Sequence, residues 1–113
     1  MEKMRYEIFV SEEAEKDIID IWSHIALNDC LENADYVLNG IEKVISSLET
    51  MPRRGHLPPE LERISVFNYL EVHYKPYRII YQICGTSINI YCVMDGRRDV
   101  QSVLCRRLLK IEY

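Results

Sequence analysis

The residues best suited to chemistry in this sequence are arginines. Arg78 stands inside an apolar run, Tyr77 to Cys84, where a permanent guanidinium is costly unless it reaches water or an anion. Arg97 and Arg98 close a second run that ends Val-Met-Asp-Gly-Arg-Arg-Asp at position 99. If the two runs pair as an antiparallel hairpin, the start of the first meets the end of the second, and Arg78, Arg97 and Arg98 converge. Convergent guanidiniums make a phosphate or carboxylate clamp, which in a nuclease would stabilise charge developing in the transition state. The competing reading is local. Asp95 and Asp99 bracket Arg97 and Arg98 and could simply pair with them in a charged turn. Arg106 and Arg107 extend the basic character into the tail, where a helix dipole alone would favour them.

Other chemistries find little support. His24, His56 and His73 show no metal-ligand spacing, and Cys30, Cys84, Cys92 and Cys105 include no Cys-x-x-Cys, so no metal site is expected. No Gly-x-Ser-x-Gly, phosphate-binding loop or dinucleotide fingerprint is present, and no cofactor is expected. Tyrosines 74, 77, 81 and 91 read as core or sheet-surface residues, with base stacking requiring exposure beside a basic group.

The elements that would position the arginines follow from pattern. Arg5 to Val10 alternates as a strand, with Tyr6, Ile8 and Val10 on one face. Ser11 is a helix N-cap followed by Glu12 and Glu13, and Ala14, Ile18, Ile21, Trp22 and Ile25 then mark one face of a helix ending near Leu27. A second helix from about Glu32 carries Ala34, Val37, Leu38, Ile41, Val44, Ile45 and Leu48. Gly40 inside it costs roughly 1 kcal/mol relative to Ala and suggests close approach to the first helix. Prolines and Gly55 make 51–60 a basic surface loop, and Leu61 to Phe67 and Leu70 to Tyr74 read as irregular strand. The stretch Tyr77 to Asp99 reads as a hairpin that turns at Gly85, Thr86 and Ser87 and ends in a basic turn; Asp99 then caps a short helix with Val100, Val103, Leu104 and Leu108.

Helices followed by strands argue an α+β fold: a strand, an α-helical hairpin, a three- to four-stranded antiparallel sheet and a short C-terminal helix. The hairpin should cover one sheet face and leave the other partly open to a partner. At 113 residues, residues 1–113 form one domain. Unpaired cysteines and the lack of a leader or apolar span point to the cytoplasm, with no membrane partner. The net charge of −4 is divided unevenly, with 4 basic and 12 acidic residues in 1–50 against 10 basic and 6 acidic in 51–113. Such a division suggests an acidic partner for the basic half, or merely two solvated faces of opposite sign.

Pro-Tyr-Arg-Ile-Ile-Tyr-Gln-Ile at 76–83 and Val-Met-Asp-Gly-Arg-Arg-Asp at 93–99, behind a strand, Ser-x-x-Ala and a helical hairpin, resemble the ParE/RelE superfamily of toxins from type II toxin–antitoxin modules. The resemblance implies a toxin neutralised by a cognate ParD/RelB-like antitoxin in a hetero-oligomer. ParE-like members, often plasmid-stabilisation toxins, inhibit DNA gyrase without nuclease action. RelE-like members are endoribonucleases that cleave mRNA on the ribosome; under that alternative Arg78 and Arg98 would be catalytic. Their C-terminal tyrosine falls near Leu104, which can neither stack nor activate, and their lysine pair has no clear match. ParE-like members often carry His where this chain has Asp95, yet the helix-rich start, the Gly-Arg-Arg-Asp ending and the acidic net charge place the chain closer to them. Arg78, Arg97, Arg98, Arg106 and Arg107 are then the expected binding residues. A third possibility is an inactive module that only binds antitoxin.

Overall fold

The computed structural model describes residues 5–110. Its order is β1 (Glu7–Val10), α1 (Glu12–Asn28), α2 (Leu31–Ser47), α3 (Pro59–Glu62), β2 (Leu70–Tyr74), β3 (Tyr77–Cys84), β4 (Ser87–Asp95) and α4 (Val100–Leu108). Caps set the helix starts as the sequence predicts. The Ser11 hydroxyl accepts from the Ala14 amide at 3.1 Å, and the Asp99 carboxylate accepts from the Ser102 amide at 3.2 Å.

The four strands lie in the order β1-β4-β3-β2. β2, β3 and β4 are antiparallel neighbours, while β1 joins β4 in parallel, Ile8 opposite Ile88 and Val10 opposite Ile90. The parallel strand is possible because the helical hairpin between β1 and the later strands supplies the long crossover that parallel pairing needs. Between β3 and β4 the turn is two residues, with Gly85 at φ +62°, a left-handed value that glycine adopts without strain.

A bulge resets the side-chain alternation of β4. Ile80 faces Cys92 but Tyr81 faces Ile90, so Tyr91 is the additional residue. As a result Ile88, Ile90 and Val93 all reach the helical-hairpin core, with Ala14, Ile41, Ile45, Leu48, Val72, Ile79 and Tyr81. Cys92 and Met94 point the other way, into a second core with Ile80, Leu61, Val103 and Leu104. Here the expectation of an open face fails. α3 and α4 cover it, because Leu61 and the apolar stripe of α4 need burial as much as the hairpin does.

Two local expectations are also corrected. Leu61 to Phe67 is not strand: Pro58 and Pro59 preset the first turn of α3, and Leu61 is driven inward as its buried residue. Gly40 approaches β2 rather than α1, since a Cβ there would overlap the ring of Tyr74. Among the described residues no helix is long and apolar enough to cross a membrane.

Candidate functional site

Arg78 lies on the sheet face covered by α3, and its guanidinium is occupied. Nη1 and Nη2 donate to the two carboxylate oxygens of Glu60 at 2.9 and 2.7 Å, and Nε and Nη2 donate to Glu71 Oε2 at 2.9 and 2.6 Å. Glu71 is 2% exposed, and its other oxygen faces His56 and His73. A buried carboxylate explains why an arginine interrupts an apolar strand, because each group would be costly without the other. The hydrogen bond from Arg78 also holds the Glu60 carboxyl below its usual range, overcoming the opposing effect of burial.

Arg97 takes the local reading. Its Nε and backbone N–H both donate to Asp95 Oδ1 at 2.9 Å, and the guanidinium holds the Asp95 carboxyl down to about 2. Arg97 lies past the last paired residues of the hairpin, Tyr77 and Asp95, and its carboxylate partner is not one of those that hold Arg78. Arg98 stands between α4 and α1, lining one recess with Arg106, Arg107, Lys110 and Glu13, another with Asp99 and Ser102, and a third with Asp17, His24, Tyr77 and Asp95. Arg98 and Arg106 are exposed, so this corner of the molecule is a basic surface.

Arg107 has a different task. β1 ends at Val10, leaving the edge of β4 beyond Ile90 without a strand partner. Asp17 of α1 accepts from the Val93 amide at 3.0 Å, and Arg107 reaches the Tyr91 carbonyl at 3.5 Å. The two side chains close the pair with bonds of 2.5 and 3.1 Å. An ion pair thus completes the strand edge that β1 is too short to cover. Asp17→Ala should cost about 1–3 kcal/mol by leaving the Val93 amide unmatched and Arg107 with only the more exposed Glu13 as a carboxylate partner, at 3.1 Å, read as a lower denaturation midpoint at unchanged slope.

Several of these residues were not legible as site residues. Asp17, Glu60 and Glu71 are ordinary acids in an acidic chain, and only the fold brings them to their arginines. His56 and His73 are 17 apart in sequence, yet their rings meet edge to face with centroids 5.1 Å apart. Leu104 is fully buried in the second core, so that position presents no side chain to a substrate.

The molecule also carries an apolar groove. Val10, Ile18, Ile19, Leu38 and Ile45 line a recess of about 440 Å³ between β1 and the helical hairpin, rimmed by Glu15 and Glu42. Val10 and Ile19 remain 39% and 57% exposed, and β1 is the outer strand of the sheet.

Comparison with known proteins agrees with this architecture. The chain is 27% identical over 95 residues to Toxin ParE3 of Caulobacter vibrioides, covering 80% of this chain and 87% of the relative. Among solved structures it resembles the chromosomal ParDE toxin–antitoxin system of P. aeruginosa, with TM-score 0.68, 17% identity, and 83% and 98% of the two chains covered. It also resembles the toxin–antitoxin complex RelBE2 of Mycobacterium tuberculosis, with TM-score 0.58, 16% identity and coverages of 83% and 94%. These two likenesses establish the fold. The family model described as the ParE toxin of the type II toxin–antitoxin system parDE matches residues 8–100, from β1 through the hairpin and its basic turn, and the chain belongs to that family.

Proposed function

We propose that this protein is a toxin that inhibits DNA gyrase, and that a ParD-like antitoxin holds it inactive in a hetero-oligomer. The observation that carries the choice of target is the state of Arg78. In the ribonuclease reading its guanidinium would meet the scissile phosphate, but here Glu60 and Glu71 occupy it and only 14% of the side chain is exposed. Binding RNA there would require displacing two carboxylates, one of them buried. Leu104 offers no replacement for an activating tyrosine. The basic corner formed by Arg98, Arg106 and Lys110 supports contact with an acidic protein or nucleoprotein surface without any need for catalysis.

Antitoxin binding fits the groove beside β1. A segment that adds main-chain hydrogen bonds at the outer edge of β1, or lays a helix into the recess, would bury Val10, Ile18, Ile19 and Leu38. The ParDE and RelBE2 structures are of a toxin–antitoxin system and a toxin–antitoxin complex, which supports an antitoxin partner here.

The test is a paired assay on the purified protein: gyrase supercoiling, and mRNA cleavage on programmed ribosomes. Gyrase inhibition without cleavage is expected. Cleavage without gyrase inhibition would reverse the choice, and silence in both, with antitoxin still bound, would leave a binding module alone. The combined variant Arg98→Glu and Arg106→Glu should weaken gyrase inhibition by about tenfold or more while leaving Tm within a few degrees, because both side chains are exposed. Unchanged inhibition would move the target-binding surface elsewhere.

A further inference from the structure

The edge of the sheet next to Arg78 gathers three groups whose sequence spacing gives no hint of the arrangement. Glu71 and His73 alternate by two on β2 and therefore share a face. His56 comes from the preceding loop, which pairs with β2 through two backbone bonds: the His56 amide donates to the Glu71 carbonyl at 3.0 Å, and the Glu71 amide to the His56 carbonyl at 2.8 Å. Both imidazoles turn Nε2 toward one atom. His56 lies 2.9 Å and His73 3.0 Å from Glu71 Oε1, and one ligand atom from each residue can be chosen so that all three lie within 4.8 Å of one another.

Two imidazole nitrogens and one carboxylate oxygen are the donor set of open zinc sites, with the fourth position left to water. Tetrahedral zinc with bonds of about 2.0–2.1 Å separates its ligand atoms by roughly 3.3–3.4 Å. Each histidine nitrogen needs to part from Glu71 Oε1 by only a few tenths of an ångström, and the three ligand atoms already lie within 4.8 Å of one another. They are free to do so on one side only. The His56 and His73 side chains are 56% and 40% exposed, whereas Glu71 is buried and fixed through its other oxygen by Arg78. A recess of about 340 Å³ lined by His56, Glu71, His73, Pro76 and Arg78 opens beside the three donors and gives the ion and a water an entry path.

We propose that His56, Glu71 and His73 form a binding site for one divalent transition-metal ion, zinc being the best match to borderline nitrogen and oxygen ligands. Arg78 orients the carboxylate from behind, as outer-sphere partners of metal ligands commonly do, and Glu60 offsets the added positive charge. An ion there fastens the 51–56 loop to the edge of β2. That role does not depend on which macromolecule the toxin attacks.

The full chain, stripped with chelator, is titrated with zinc by calorimetry and followed by thermal denaturation. Cys30→Ser and Cys84→Ser are included as background because those two thiols are exposed and would compete. One equivalent should bind and raise Tm by mass action. His56→Gln and His73→Gln, each checked for an unchanged circular dichroism spectrum, should each weaken binding about tenfold or more. Cobalt in place of zinc should give tetrahedral visible bands without thiolate charge transfer. Absence of zinc binding, or binding that survives both histidine substitutions, would overturn the site; a thiolate signature with cobalt would do the same.

Discussion

Arg78→Ala should destabilise the fold by about 3–5 kcal/mol, the cost of taking the guanidinium from a buried carboxylate that is left with only the imidazoles of His56 and His73. Glu71 has 2% of its surface in water and cannot recover by solvation, and Glu60 loses both of its charge-assisted bonds. Chemical denaturation should show a lower midpoint at unchanged slope. The companion variant Arg78→Met with Glu71→Leu should regain most of the loss, because removing both charges removes the desolvation cost with the attraction. The pH dependence has a definite sign. Arg78 holds the Glu60 carboxyl below its ordinary value near 4.5, so this contribution is full above that value and fades as the pH falls through the lowered one. The gap between wild type and Arg78→Ala should therefore narrow on acidification below about pH 4.5. A gap that stays constant down to pH 2.5, or a loss under 1 kcal/mol, would mean that Arg78 is not the structural partner described above. Gyrase inhibition measured per folded molecule should survive the substitution, which separates a structural arginine from one that acts on substrate.

The same residue shows how far the sequence could be read. That Arg78 needs an anion was legible from its apolar neighbours; that the anions are Glu60 and Glu71 was not, because one comes from the short helix α3 and the other from across a strand pair. Elements specified by local physics were clear in the same way. The stripes of α1 and α2 follow a 3.6-residue period, Gly85 supplies the left-handed turn, and Ser11 and Asp99 cap the helices they precede. What stayed hidden depends on distant partners. Ile90-Tyr91-Cys92-Val93-Met94 is continuously apolar, so alternation could not reveal that a bulge at Tyr91 divides it between two cores. The signal at Gly40 was real, but a glycine marks close approach without naming the neighbour, which proved to be Tyr74. His56 and His73 failed the test of linear spacing because the pairing of a loop with β2, not a motif, brings them together.

Ile19→Arg should free the toxin from its antitoxin without blunting the toxin. Ile19 is 57% exposed in the groove beside β1, a position where a large apolar side chain brings little to the folded monomer. Arginine is as good a helix former as isoleucine or better, so α1 should keep its stability. In the complex two effects act in the same direction. An apolar contact worth about 1.5–3 kcal/mol is lost, and a cation is placed where the acidic rim of Glu15 and Glu42 favours a basic partner segment. Together these predict a loss of antitoxin affinity of about 100-fold or more, measured by calorimetry, and gyrase inhibition that persists at antitoxin concentrations sufficient to silence the wild type. Leu27→Ser is the matched control: Leu27 is 86% exposed on the same helix but outside the groove, and its loss should leave affinity within about twofold. If Leu27→Ser weakened binding and Ile19→Arg did not, the antitoxin would sit on the tip of the helical hairpin, and the groove beside β1 would have to serve some other contact.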